Sequence, residues 1–130
     1  MAESGYRTGK ICYIEIPTDD IERSKDFYRS TFGWSVRQHG DGSPAFDDTV
    51  GQVSGTWVLG RQPTREPGLV VHIMVANAER AGEAVVANGG EIIQPVDPGS
   101  REVYFLFRDP AGNVLGVYEQ EGLEEAESKL

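Results

Sequence analysis

Residues 11–34 read ICYIEIPTDDIERSKDFYRSTFGW, and this stretch decides the fold. Residues 11–17 are apolar and β-branched, a strand that Pro17 ends because proline has no N–H for the ladder. Asp19 or Asp20 then offers an N-cap, a side-chain oxygen for the free amides of a first helical turn. The helix predicted from there to about Thr31 sets Ile21, Ser24, Phe27 and Tyr28 on one face at a period near 3.6. Gly33 suits its exit, where a left-handed backbone costs least for glycine. Strand-like runs follow at 34–38, around 44–47 and at 52–59, so the first half spells βαβββ.

The order then repeats. Residues 61–68, RQPTREPG, form the expected connector. Residues 69–75 read as a strand, Asn77 caps a helix to Asn88, Gly89-Gly90 closes it, and strands follow at 91–96, 102–107 and 113–119. Asp109-Pro110-Ala111-Gly112-Asn113 is a hairpin turn, with proline presetting φ and glycine accepting φ > 0. A shift of 57 residues aligns Ile16 with Ile73, Glu22 with Glu79, Arg23 with Arg80 and Gly33 with Gly90. A shift of 61 at the end of each half aligns Gly51 with Gly112, Gly55 with Gly116 and Trp57 with Tyr118. The chain therefore reads as one α+β domain of two tandem βαβββ modules, about 10–60 and 69–120, followed by an acidic tail at 121–130 that is expected to be solvated.

Composition narrows the function. The 130 residues hold 12 Lys and Arg against 21 Asp and Glu, a net charge of −9. Nucleic acid and anionic membrane surfaces both need clustered cations, so neither is an expected partner. The single cysteine, Cys12, excludes an internal disulfide framework and is expected to pack under a helix. No apolar run is long enough to span a membrane and the amino terminus has no secretory pattern, so the cytoplasm is the expected compartment.

The run Ile14–Tyr28, the Phe32-Gly33-Trp34 that follows, Asn88-Gly89-Gly90 and Arg108–Asn113 together resemble the vicinal oxygen chelate superfamily of glyoxalases, bleomycin resistance proteins and dioxygenases. The resemblance covers about residues 10–120. It implies curled mixed sheets around a ligand cleft and, usually, a homodimer. Its nearest branch is that of uncharacterised proteins related to lactoylglutathione lyase.

The same resemblance implies metal ligands at Tyr13, Gly55, Val70 and Gly116, residue types unable to bind a divalent ion. No cofactor is therefore expected. Two residues further along the first strand of each module stand Glu15 and His72, mates in the 57-residue shift and on the same strand face as Tyr13 and Val70. With Trp57 and Tyr118 as neighbours, these residues predict a cleft that holds a carboxylate, an imidazole and two aromatics. Tyr13, Tyr104 and Arg101 extend the candidate ligand-binding set, Arg101 either as an anion clamp or as a solvated strand end. His39, beside Gly40-Asp41-Gly42, reads as a surface residue.

Three functions follow. The first is metal-free binding of a small organic molecule, the second a metal-free enzyme using Glu15 and His72 as general acid and base, and the third a lyase or dioxygenase with a displaced metal site.

Overall fold

The computed structural model describes residues 8, 10–63, 66 and 68–129. The first module runs β1 (Tyr13–Pro17), α1 (Ile21–Phe32), β2 (Ser35–Gln38), β3 (Pro44–Asp47) and β4 (Ser54–Val58). The second runs β5 (His72–Val75), α2 (Ala78–Ala87), β6 (Glu91–Gln94), β7 (Tyr104–Arg108) and β8 (Val114–Glu119), and α3 (Leu123–Ser128) closes the chain. The expected linker at 61–68 lies partly outside the described residues. Among those described, no helix is long and apolar enough to cross a membrane.

The caps act as the sequence predicts. Asp20 has extended backbone and its carboxylate accepts from the Arg23 amide at 3.0 Å, while Asn77 does the same for Arg80 at 2.9 Å. Gly33 ends α1 at φ 75°, its N–H donating to the carbonyl of Arg29. A capping side chain of this kind is worth about 1 kcal/mol.

Each module forms a four-stranded sheet, ordered β1-β4-β3-β2 and β5-β8-β7-β6. The helix crossover lays β1 parallel to β4 and β5 parallel to β8, and the remaining pairs are antiparallel. The sheets are curled and do not close into a barrel. This is the α+β, twin-module architecture that the sequence predicts.

One hydrophobic core serves both modules. It draws Ile16, Phe46 and Trp57 from the first sheet, Phe105, Phe107, Leu115 and Val117 from the second, Phe27 and Tyr28 from α1, and Val85 from α2. Helix α1 packs on α2, and Phe27 and Phe32 lie 5.9 and 5.8 Å from Phe107 between ring centres. Tyr28 stacks on Trp34 and Trp34 on Phe46, each at 4.7 Å. Buried aromatics of this size contribute about 1.5–3 kcal/mol each through lost apolar surface, and such ring pairs add to it. The helices therefore lie between the two sheets, and the opposite face of each sheet points outward.

A turn changes the register of the repeat. In the first module the Asp48 N–H bonds the Val53 carbonyl, and Asp48 Oδ1 accepts from Gln52 and Val53. In the second, the Asp109 N–H bonds the Asn113 carbonyl, and Asp109 Oδ1 accepts from Ala111 and Asn113. The first turn thus spans four residues, 49–52, and the second only three, 110–112. The glycines at 51 and 112, both at positive φ, align at a shift of 61, but beyond the turn the shift is 60. Trp57 is consequently the mate of Val117, Val58 that of Tyr118, and Thr56 that of Gly116.

One further expectation changes: Cys12 is exposed and does not pack under a helix. The tail is solvated as expected and forms the short helix α3, with the carboxylate of Glu124 accepting from Arg80 and from Asn77 on the second module.

Candidate functional site

Side chains alternate across a strand, so the outward faces follow from the core. On the first sheet, Ile14 and Ile16 point to the helices, which leaves Tyr13 and Glu15 on the outward face. Thr56, Asp47 and Arg37 join them by register. The Glu15 carboxylate accepts from Arg61 at 2.7 Å. Arg37 clamps Asp47 through two bonds of 2.7 and 3.2 Å, and the hydroxyl of Ser54 adds a third at 2.6 Å. The bonds from Arg37 and then Ser54 hold the Asp47 carboxyl below its ordinary range. Tyr13 and His39 share a hydrogen bond of 3.3 Å between Oη and Nε2. His39 therefore belongs to this face, a role that the glycine-flanked loop around it did not reveal.

On the second sheet, Ile73 and Val75 face the core, which turns His72 and Met74 outward with Gly116, Tyr118, Tyr104 and Leu106. Gly116 stands opposite His72 in the parallel ladder, and a Cβ on it would fall 2.3 Å from His72 Nδ1 and 2.4 Å from Cε1. The imidazole thus lies over the glycine, in the volume that a side chain at 116 would fill. Tyr104 meets the ring edge-to-face at 5.7 Å between centres. Met74 is 61% exposed beside it. The phenol of Tyr118 donates to Glu102, and this bond holds its proton at higher pH than usual. Arg108 donates to Glu91 at 2.8 Å on the same face.

Several sequence expectations change here. Trp57 does not line the cleft. It is 2% exposed, with its ring 4.8 Å from Phe46 and 6.1 Å from Tyr28, because the extra turn residue shifts it to the core side of β4. Glu15 and His72 occupy matching faces of the two modules, yet the helical layer between the sheets sends those faces outward in different directions. Among the described residues Glu15 bonds Arg61 and His72 meets the Tyr104 ring, and no bond joins the two. Tyr13 sits beside Glu15, and Tyr104 beside His72. Arg101 precedes β7 and lines a groove of about 560 Å³ with Glu102, Tyr118, Glu119 and Glu121, next to α3, where Tyr118 alone belongs also to the outward face of His72. There it stands among carboxylates, a poor setting for an anion clamp.

The positions implied for metal ligands hold Tyr13, Val70, Gly116 and, after the turn correction, Thr56 in place of Gly55. The Thr56 hydroxyl donates to the Pro44 carbonyl at 2.6 Å, and the Gly116 site is covered by an imidazole. Among the described residues, no three His, Cys, Asp or Glu side chains gather where they could hold an ion.

Comparison with known proteins agrees with this architecture. Residues 10–117 match the Glyoxalase/Bleomycin resistance protein/Dioxygenase superfamily, and the chain belongs to that family. A glyoxylase-like domain-containing protein of Didymella fabae is 29% identical over 123 residues, which cover 88% of this chain and 96% of that protein. Among solved structures, the genomically encoded fosfomycin resistance protein FosX of Listeria monocytogenes superposes with a TM-score of 0.73 at 13% identity, over 94% of this chain and 99% of its own. FosX of Mesorhizobium loti gives 0.68 at 15% identity, over 93% and 99%. At these identities the likeness is one of fold.

Proposed function

We propose that the protein is a metal-free binder of a small, uncharged organic molecule, working as a homodimer. The observation that carries this reading is the pair of outward faces with Glu15 and His72 at matching positions. Each face bears solvated apolar surface, Tyr13 at 45% exposure and Met74 at 61%. Among the described residues each also ends at a strand edge with no partner strand, β1 or β5. A second copy that lays its second-module face against the first-module face of this one would cover both edges and enclose a cleft with Glu15 on one wall and His72 on the other.

Charge defines the ligand class. Glu15 is paired with Arg61, Arg37 with Asp47, and Arg108 with Glu91. What remains for recognition is an imidazole, phenols, a thioether and aliphatic surface, which suit a neutral planar compound. The set Tyr13, Thr56, Val70 and Gly116 supports the metal-free part, since it lacks the imidazoles and carboxylates that a divalent ion needs. The Arg61 bond to Glu15 favours binding over proton transfer, because it occupies the carboxylate that a general base would use.

The test is a thermal-shift screen of neutral planar aromatics against their anionic and cationic analogues, with elemental analysis of the purified protein. A neutral ligand at about 100 times its Kd adds about 2.7 kcal/mol of stability, and that gain should shrink in His72→Ala and in Glu15→Gln. One transition-metal ion per chain, or an equal gain in both variants, would overturn the reading.

A further inference from the structure

We infer that Gly116 and Tyr104 are positioning residues for His72, which together fix its imidazole against the sheet with Nε2 left for the ligand. The inference deepens the binding reading above, because it names the device that orients that site's imidazole.

The geometry is specific to this pair of strands. His72 and Gly116 are direct partners in the parallel β5–β8 ladder, so their side-chain directions leave the same face side by side. A strand interior disfavours glycine, which packs nothing and adds backbone entropy to the unfolded chain. At 116 the lack of a side chain has a use. The three heavy atoms nearest to a Cβ there all belong to His72: Nδ1 at 2.3 Å, Cε1 at 2.4 Å and Cγ at 3.0 Å. The ring therefore rests over the glycine by its Nδ1–Cε1 edge, with Nε2 farther off. Tyr104 then limits the remaining freedom, its ring plane at 76° to the imidazole.

The first module lacks this arrangement. There the mate of Gly116 is Thr56, whose hydroxyl is spent on the Pro44 carbonyl, and Glu15 opposite it reaches away to Arg61. In the first module the glycine that seats a ring is Gly55, which receives Phe46 on the core side, so on the outward faces the seat belongs to the second module. An imidazole held this way loses little rotamer entropy when a ligand binds, and its hydrogen-bonding nitrogen is already aimed.

A double-mutant cycle tests the seat without a ligand. Gly116→Ala places a methyl group where the ring lies, and should lower the melting temperature by roughly 5 °C. In a His72→Ala background the same change should cost much less, because the ring that it opposes is gone. Nuclear Overhauser contacts from His72 Hε1 to the Gly116 α-protons and to the Tyr104 ring should appear in the wild type, and those to Tyr104 should weaken in Gly116→Ala. Diethylpyrocarbonate should carbethoxylate His72 at a rate changed about threefold or more in Gly116→Ala and Tyr104→Ala, measured against free N-acetylhistidine in the same solution. An equal cost of Gly116→Ala in both backgrounds, absence of those contacts in the wild type, or unaltered His72 reactivity would overturn the seat. The binding reading fails separately, on the ligand screen.

Discussion

The phenol of Tyr28 donates to Oδ2 of Asp109 across 2.8 Å, and this bond joins the helix of the first module to the hairpin turn of the second. Both groups are buried, and Asn113 extends the link by donating to the Pro17 carbonyl at 2.7 Å and to Asp109. Burial, reinforced by the neighbouring Asp109 carboxylate, holds the Tyr28 proton well above the ordinary phenol range, so Tyr28 stays a donor. Tyr28→Phe leaves a buried carboxylate oxygen short of a partner. A loss of about 1–3 kcal/mol is expected in urea unfolding, at neutral pH.

Asp109 also sets a pH dependence. Burial raises its pKa, against the lowering effect of the bonds from Tyr28 and Asn113. A raised pKa means that the folded state holds this proton more tightly than the unfolded chain does. The stability due to this group is then complete below the unfolded carboxylate value, near 4, and is lost as pH rises through the folded value. Unfolding free energies of wild type and Asp109→Asn, measured over that window, should diverge in slope, with the wild type falling more steeply as pH rises. Parallel slopes would show that the carboxyl is not perturbed.

Trp57 offers a test of the core. Its indole is buried beside Phe46, and its Nε1–H has no partner among the described residues. Trp57→Ala should cost about 3–5 kcal/mol. Trp57→Phe should cost less than 1.5 kcal/mol or so, because the lost volume is offset by removal of an unpaired buried donor. Urea midpoints at constant m-value check both. Neither change should alter the His72 carbethoxylation rate, since Trp57 lies on the other side of its sheet.

The turn at 49–52 can be exchanged. Replacing it with Pro-Ala-Gly from 110–112 gives the first hairpin the length of the second, and Asp48 then caps it as Asp109 does. Stability should change by no more than about 1 kcal/mol, and the tryptophan emission should keep its buried maximum. A strand that slips by one residue instead would expose Trp57 and shift that emission to the red.

Met74 tests the quaternary reading. It is an exposed thioether on the outward face of β5, so Met74→Glu should leave the monomer folded and dissociate the proposed dimer. Light scattering after size exclusion reads the mass, and far-UV circular dichroism confirms the fold. An unchanged dimer mass would remove this face from the interface.

Much of the fold was legible in residues 11–34, because strand, cap, helix and exit glycine each leave a local chemical mark. Which face of a strand is apolar was legible too, from Ile14 and Ile16 alternating with Tyr13 and Glu15. The error at Trp57 has a definite origin. Gly51 and Gly112 answer to the demands of their turns, whereas Trp57 answers to its strand, and a one-residue difference in turn length separates the two. Only the carboxylates that cap those turns, Asp48 and Asp109, mark the difference. Alternation likewise could not tell which module each helix would face, since contacts such as Phe27 with Phe107 join residues far apart in the chain. The place of His39 depended on loop closure against Tyr13, which no periodicity encodes.

The sandwiched helices have a consequence for how such a chain diversifies. Positions that hold the protein together, such as Tyr28, Phe46, Phe107 and Val117, are inside, and the positions proposed to meet a ligand are outside. On the binding reading proposed above, a change at Tyr13, Met74 or Tyr104 alters recognition without opening a cavity among the interior rings. New specificities can therefore arise on these faces by single substitutions while the scaffold beneath stays intact.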